Sequence, residues 1–155
     1  MRLEMGAPVD FAQSAQWGAG QGGIKEAIRA AREFRFERET SNDKIFYEPI
    51  GVAALITPWN WPMSQVVLKV IPALAAGCTV ILKPSEVAPL SSHLFAEMIH
   101  DVGVPAGVFN LINGVGPGVG AQLSAHPGVD MVSFTGSTRA GALISKAAAD
   151  SFKRV

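Results

Sequence analysis

Four short segments carry the residue types that do chemistry. Thr57-Pro58-Trp59-Asn60-Trp61-Pro62 is a stiff stretch, with two prolines fixing the backbone and two tryptophans adding bulk. A side-chain amide on such a loop, Asn60, can donate to an oxyanion that develops during a reaction, or it can cap a following helix. Lys83-Pro84-Ser85-Glu86 sets an ammonium and a carboxylate three positions apart. That pair can clasp a ribose, the lysine donating and the glutamate accepting from hydroxyls; it can also be a solvated turn with an acid at a helix start. Asn113-Gly114-Val115-Gly116-Pro117-Gly118-Val119-Gly120 is rich in glycine, but the spacing of Gly114, Gly116 and Gly120 misses the dinucleotide fingerprint by one residue. Asp130 follows too early to be its ribose acid. Phe134-Thr135-Gly136-Ser137-Thr138 offers a hydroxyl and an amide at a helix start, which suits a phosphate or simple capping.

Other reactive types read as structural. Cys78 sits in apolar surroundings after Gly77 and reads as a small buried hydrophobe. His93, His100 and His126 lack spaced carboxylate or cysteine partners, so no metal site is expected.

The elements that must position these segments follow from hydrophobic periodicity. Short apolar runs at 51–56, 79–82, 108–112 and 129–134 read as buried strands. Helical spacing separates them, over Met63–Ala76 (apolar almost all round, with Pro72 expected to kink it), over 90–102, over Pro117–Ala125, and after Ser137, where Leu143, Ile144 and Ala147 mark the buried side. Alternation of this kind predicts an α/β fold: a Rossmann-like parallel sheet with helices on both faces. Ligands then bind where strand C-terminal ends meet helix N-termini, which is where all four segments lie. Before residue 51 the pattern predicts a short helix over Pro8–Gln16, a stretch loosened by Gly18, Gly20, Gly22 and Gly23, a second helix over 24–34, a polar turn over 37–43 and a short strand around Ile45 and Tyr47.

Composition narrows the function class. The chain has 155 residues, 48% of them hydrophobic, with thirteen basic and thirteen acidic residues. Zero net charge gives no field favouring nucleic acid or an anionic membrane, and no apolar stretch is long enough to span a bilayer. A single cysteine forbids an internal disulfide and fits a cytoplasmic setting.

Taken in order, EPIGVAALITPWNWP, IPALAAGCTVILKPSE, PAGVFNLINGVGPGVG and VDMVSFTGSTRAG resemble the aldehyde dehydrogenase superfamily. The resemblance implies that Asn60 helps hold the substrate oxyanion and that Ile56, Thr57, Pro58 and Trp59 line an NAD site. It implies that Lys83 and Glu86, with Ser85 between them, reach the adenosine ribose. Gly116, Pro117, Gly120 and Ala121 would lie beside the adenine, and Phe134, Thr135, Gly136 and Ser137 beside the cofactor, with Ser137 at the pyrophosphate. It further implies oxidation of an aldehyde through a thiohemiacetal on a cysteine, a glutamate-activated water, and a homo-oligomer. Residues 1–50 would be N-terminal helices and a connecting segment, residues 51–155 part of the dinucleotide-binding domain, and the catalytic domain would be absent, leaving a fragment inactive by itself. A coenzyme A-acylating semialdehyde dehydrogenase and a non-catalytic nucleotide-binding module are the rival readings.

Overall fold

A computed structural model describes residues 1–155. Its centre is a four-stranded parallel sheet of β3 (Val52–Ile56), β4 (Thr79–Lys83), β5 (Phe109–Leu111) and β6 (Met131–Phe134), in the order β5-β4-β3-β6. These are the four apolar runs, and their parallel pairing is as the strand–helix alternation predicts. Both faces are covered. On one, Val66, Val67 and Val70 of α4 (Pro62–Ala75) and Phe95 of α5 (Leu90–Asp101) pack on Ala53, Leu55, Val80 and Leu82. On the other, Leu123 of α6 (Ala121–Ala125) and Ile144 of α7 (Thr138–Ala149) pack on Ala54, Ile56 and Val132. No helix is long and apolar enough to cross a membrane.

Four expectations need correction. The glycines do not interrupt the N-terminal helix. After α1 (Arg2–Met5), helical backbone runs unbroken through α2 (Val9–Phe11), a π-helical turn (Ala12–Gln16) and α3 (Trp17–Glu33). A Cβ on Gly20 would lie 2.7 Å from Met63 Cγ, and one on Gly23 would lie 3.0 Å from Val67 Cγ1. The missing side chains therefore let α3 press against α4, and that packing outweighs glycine's helix penalty of about 1 kcal/mol per residue. Part of the polar 37–43 stretch is strand: β1 (Glu37–Glu39) pairs antiparallel with β2 (Lys44–Phe46), closed by Thr40 Oγ1 accepting from the Asp43 amide at 3.0 Å.

The all-round apolar α4 is buried on one face only, with Leu68 exposed on the other. Leu143 is exposed rather than buried, whereas Ile144 lies in the core, because residues one apart on a helix diverge by about 100°. A related outcome concerns α5, which buries Ser92 and Phe95 while Leu90, Leu94, Met98 and Val102 stay exposed.

Candidate functional site

The strand order reverses between β3 and β6, since β4 and β5 build outward on one side of β3 and the chain then returns to its other side. Crevices at such a switch point, beyond the strand C-termini, are where open α/β sheets bind ligands. Register brings Lys83, Ile56 and Phe134 into one row at that edge. The ladder runs one step further: the Thr57 amide donates to the Lys83 carbonyl at 3.2 Å, and the Thr135 amide to the Ile56 carbonyl at 3.1 Å. Backbone at the strand ends is therefore held by the sheet itself.

Over this edge lies a slot of about 250 Å³ between the π-helical turn Gly116–Gly120 with α6 on one side and α7 on the other. Six sequence-designated residues line it together: Ile56, Gly116, Pro117, Gly120, Ala121 and Phe134. Sequence reasoning missed Ser124, Arg139, Ala140, Leu143, Ile144 and Ala147 as lining residues. The signal was present, because Arg139, Leu143 and Ala147 recur at four-residue spacing on one face of α7. Leu143 is exposed because it faces this slot. Ser124 Oγ donates to the Gly120 carbonyl at 2.8 Å, which ties α6 to the turn. A Cβ on Gly120 would lie 3.9 Å from Lys83 Cδ and 4.0 Å from Ile56 Cδ1, so the bare backbone of the turn closes directly over the strand ends. A narrow apolar slot of this shape suits a flat heteroaromatic ring.

Lys83 is 2% exposed. Its Nζ donates to the Pro84 carbonyl at 2.7 Å and sits 3.4 Å from Glu86 Oε2, whose carboxylate reaches solvent. Ser85 Oγ accepts from the Val87 amide at 3.3 Å and shapes the turn. Across the edge, Ser137 caps α7 by accepting from the Ala140 amide at 3.2 Å. A Cβ on Gly136 would lie 2.4 Å from Phe134 Cζ, so only glycine lets that ring fold back over the turn.

The Asn60 loop leaves β3 separately and does not line the slot. Pro58 is half-buried, while Trp59 and Asn60 are exposed. Asn60 is not a helix cap: the N-cap of α4 is Trp61, with no side-chain capping bond. The Asn60 carbonyl accepts from Gln16 Nε2 at 3.1 Å, and Trp61 meets Phe11 edge to face at 5.4 Å. Thr57 Oγ1 is buried without a partner. Sequence reasoning also missed Lys69, whose Nζ donates to Ser133 Oγ at 2.7 Å and whose burial pushes its ammonium below the usual lysine value. It lines a cavity of about 600 Å³ together with Ser133 and Thr135 of the β6 strand and its end. Cys78 is buried, as expected, just before β4.

The family model described as "Aldehyde dehydrogenase family" matches residues 1–155. A 3-succinoylsemialdehyde-pyridine dehydrogenase from a Pseudomonas species is 58% identical over 153 residues, covering 98% of this chain and 32% of that protein. The crystal structure of an aldehyde dehydrogenase from Bartonella henselae superposes with a TM-score of 0.97 at 56% identity, covering 99% of this chain and 33% of that one. Aldehyde dehydrogenase C from Pseudomonas syringae, solved in complex with NAD+ and octanal, gives a TM-score of 0.97 at 53% identity, over 99% of this chain and 32% of that one. The chain thus spans about a third of the length of the relatives it matches.

Proposed function

The chain belongs to the aldehyde dehydrogenase family, and on that premise we propose that it supplies the NAD site and the oxyanion donor of a cytoplasmic, homo-oligomeric enzyme oxidising an aldehyde to a carboxylic acid. The observation that carries the reading is the apolar slot at the sheet's switch point, with Lys83 at the end of the neighbouring strand paired to Glu86 in the turn that follows. Three features fit NAD. The slot has room for an adenine between Pro117 and Ala121 on one wall and Leu143 and Ala147 on the other. Glu86 presents an acceptor, backed by the buried Lys83 ammonium, for ribose hydroxyls. Ser137 opens a twelve-residue helix whose N-terminus favours a phosphate.

The chemistry divides between this chain and residues outside it. A cysteine thiolate beyond the chain adds to the aldehyde carbon to form a thiohemiacetal. As the carbonyl electrons move onto oxygen, the Asn60 amide donates to the developing oxyanion. Bound NAD would supply the hydride acceptor, and a water activated by a glutamate outside the chain would hydrolyse the resulting thioester. Ile56 and Thr57, held by the sheet, lead into Pro58 and Trp59 and would set cofactor and amide in one frame.

The test is titration of NAD against the folded protein, with Gly120→Val beside it. The branched side chain would grow toward Lys83 and Ile56 and displace the turn that forms one wall of the slot. Binding by the unsubstituted protein, lost in Gly120→Val, supports the reading. Absence of NAD binding, or undiminished binding in the variant, overturns the assignment of the slot.

A further inference from the structure

We infer that Gln16 is a positioning residue for Asn60, holding the loop that carries the oxyanion donor through a part-buried hydrogen bond to the Asn60 carbonyl. The inference rests on the proposed role of Asn60 and adds a residue from a distant part of the chain. Gln16 closes the π-helical turn Ala12–Gln16 and is 1% exposed. Its Nε2 donates to the Asn60 carbonyl at 3.1 Å, across 44 positions of sequence. The reverse amide orientation would set two oxygens against each other, so geometry decides which atom faces the loop.

The loop needs this tether. Sheet pairing ends at the Thr57 amide, and helical bonding begins where the Gln65 amide donates to the Trp61 carbonyl. Between them, residues 58–60 take part in one hydrogen bond, the one from Gln16. No side chain caps α4. Pro58 and Pro62 restrict two φ angles but leave the Asn60 peptide plane free to tilt. A tilt there swings the amide that must meet the oxyanion.

Stability alone does not account for a glutamine at this place. Its Oε1 is buried with no donor, which counts against the fold, whereas an unbranched apolar side chain of similar length would leave no orphan. The Asn60 carbonyl lies on an exposed residue and would be solvated by water if released. Replacing Gln16 by methionine should thus preserve the fold and lose the tether. The π-helical turn adds an independent sign, since such turns re-aim side chains and concentrate at functional places.

The experiment is a double-mutant cycle in the full-length enzyme, measuring turnover, NAD dissociation constant and Tm for the unsubstituted protein, Gln16→Met, Asn60→Ala and the double variant. Misplacing a catalytic group by a fraction of an ångström is costly, so Gln16→Met should lower kcat roughly tenfold or more. NAD affinity should stay within about twofold, and Tm should not fall. In the Asn60→Ala background the same substitution should change kcat less than about twofold, because a residue acting through Asn60 has nothing left to position. Unchanged kcat, an equal loss in both backgrounds, or a parallel loss of NAD affinity would overturn the inference. Gln16→Leu is the second variant should Gln16→Met not fold; collapse of both would make the residue structural and end the proposal. An inactive unsubstituted enzyme would instead overturn the proposed function, and the inference with it.

Discussion

Lys83 holds its ammonium in the protein interior, 3.4 Å from the half-exposed carboxylate of Glu86. The order matters: the cation lies behind and the anion in front, so a ligand arriving from solvent meets an acceptor before it meets a donor. A ribose 2′-hydroxyl satisfies that acceptor, whereas a 2′-phosphate sets negative charge against it.

NAD is therefore expected to be preferred over NADP by the full-length enzyme. In Glu86→Gln the repulsion goes while the size is kept, and the ratio of kcat/KM for NADP to that for NAD should rise about fivefold or more, since two charges about 4 Å apart and largely solvated interact by roughly 1 kcal/mol. Coenzyme kinetics on both proteins check it. Equal use of both coenzymes by the unsubstituted enzyme contradicts the role given to Glu86.

Asn60 is expected to matter for turnover and not for cofactor binding. It is exposed, makes no capping bond, and stands apart from the slot. Losing one oxyanion donor costs on the order of a hundredfold or more in turnover. Asn60→Ala should show that fall with NAD affinity and Tm nearly unchanged. Normal turnover would remove it from the oxyanion role, and a lowered Tm would reinstate a structural one.

What was legible in the residues was the sheet and the side of it that matters. Strands buried on both faces read as continuous apolar runs, and four such runs separated by helical spacing leave one economical topology. The slot was half legible. Gly116, Pro117 and Gly120 announce themselves by type, but Leu143 and Ala147 look like core positions, because an apolar stripe does not say whether it meets the sheet or a ligand. Helix α3 was misread through Gly18, Gly20, Gly22 and Gly23, since local propensity carries no word of Met63 and Val67 waiting across the groove. The Gln16–Asn60 bond was invisible for the same reason: 44 positions separate its ends, and no local pattern encodes it.

Gly51 should be intolerant of any side chain. Its φ is +117°, and a Cβ would lie 2.2 Å from Asp130 Oδ2, the oxygen that accepts from the Val52 amide at 2.7 Å. Backbone strain and the displaced hydrogen bond together should cost Gly51→Ala about 2–4 kcal/mol. At this chain length, that lowers Tm by roughly 5–15 °C. Gly18, inside α3 with no atom within 4 Å of a Cβ, is the contrast; Gly18→Ala should raise stability by up to about 1 kcal/mol. Thermal unfolding of both variants checks the pair, and an unaffected Gly51→Ala would show that the β3 entry relaxes without loss.

The 155-residue chain by itself should bind NAD weakly and form no NADH from aldehydes. Covalent oxidation needs an accessible, activated thiolate facing the nicotinamide. The one thiol here, Cys78, is 7% exposed and packs in the core with Val80 and Val70. Lys83, Glu86, Ser137 and the slot are all in place, so the partners proposed for the adenosine half of the cofactor are retained. Leu68, Leu90, Leu94, Met98 and Val102 are exposed, and this much apolar surface should make the isolated chain prone to association. The measurement is NADH absorbance with short and long aldehydes, run on protein shown by circular dichroism to be folded and by light scattering to be dispersed. Sustained turnover abolished by Cys78→Ser would put the nucleophile at Cys78. A core thiol just before the N-terminal end of β4 would then have to act at the opposite end of the sheet from the slot, and both the structural role of Cys78 and the division of chemistry proposed above would fall.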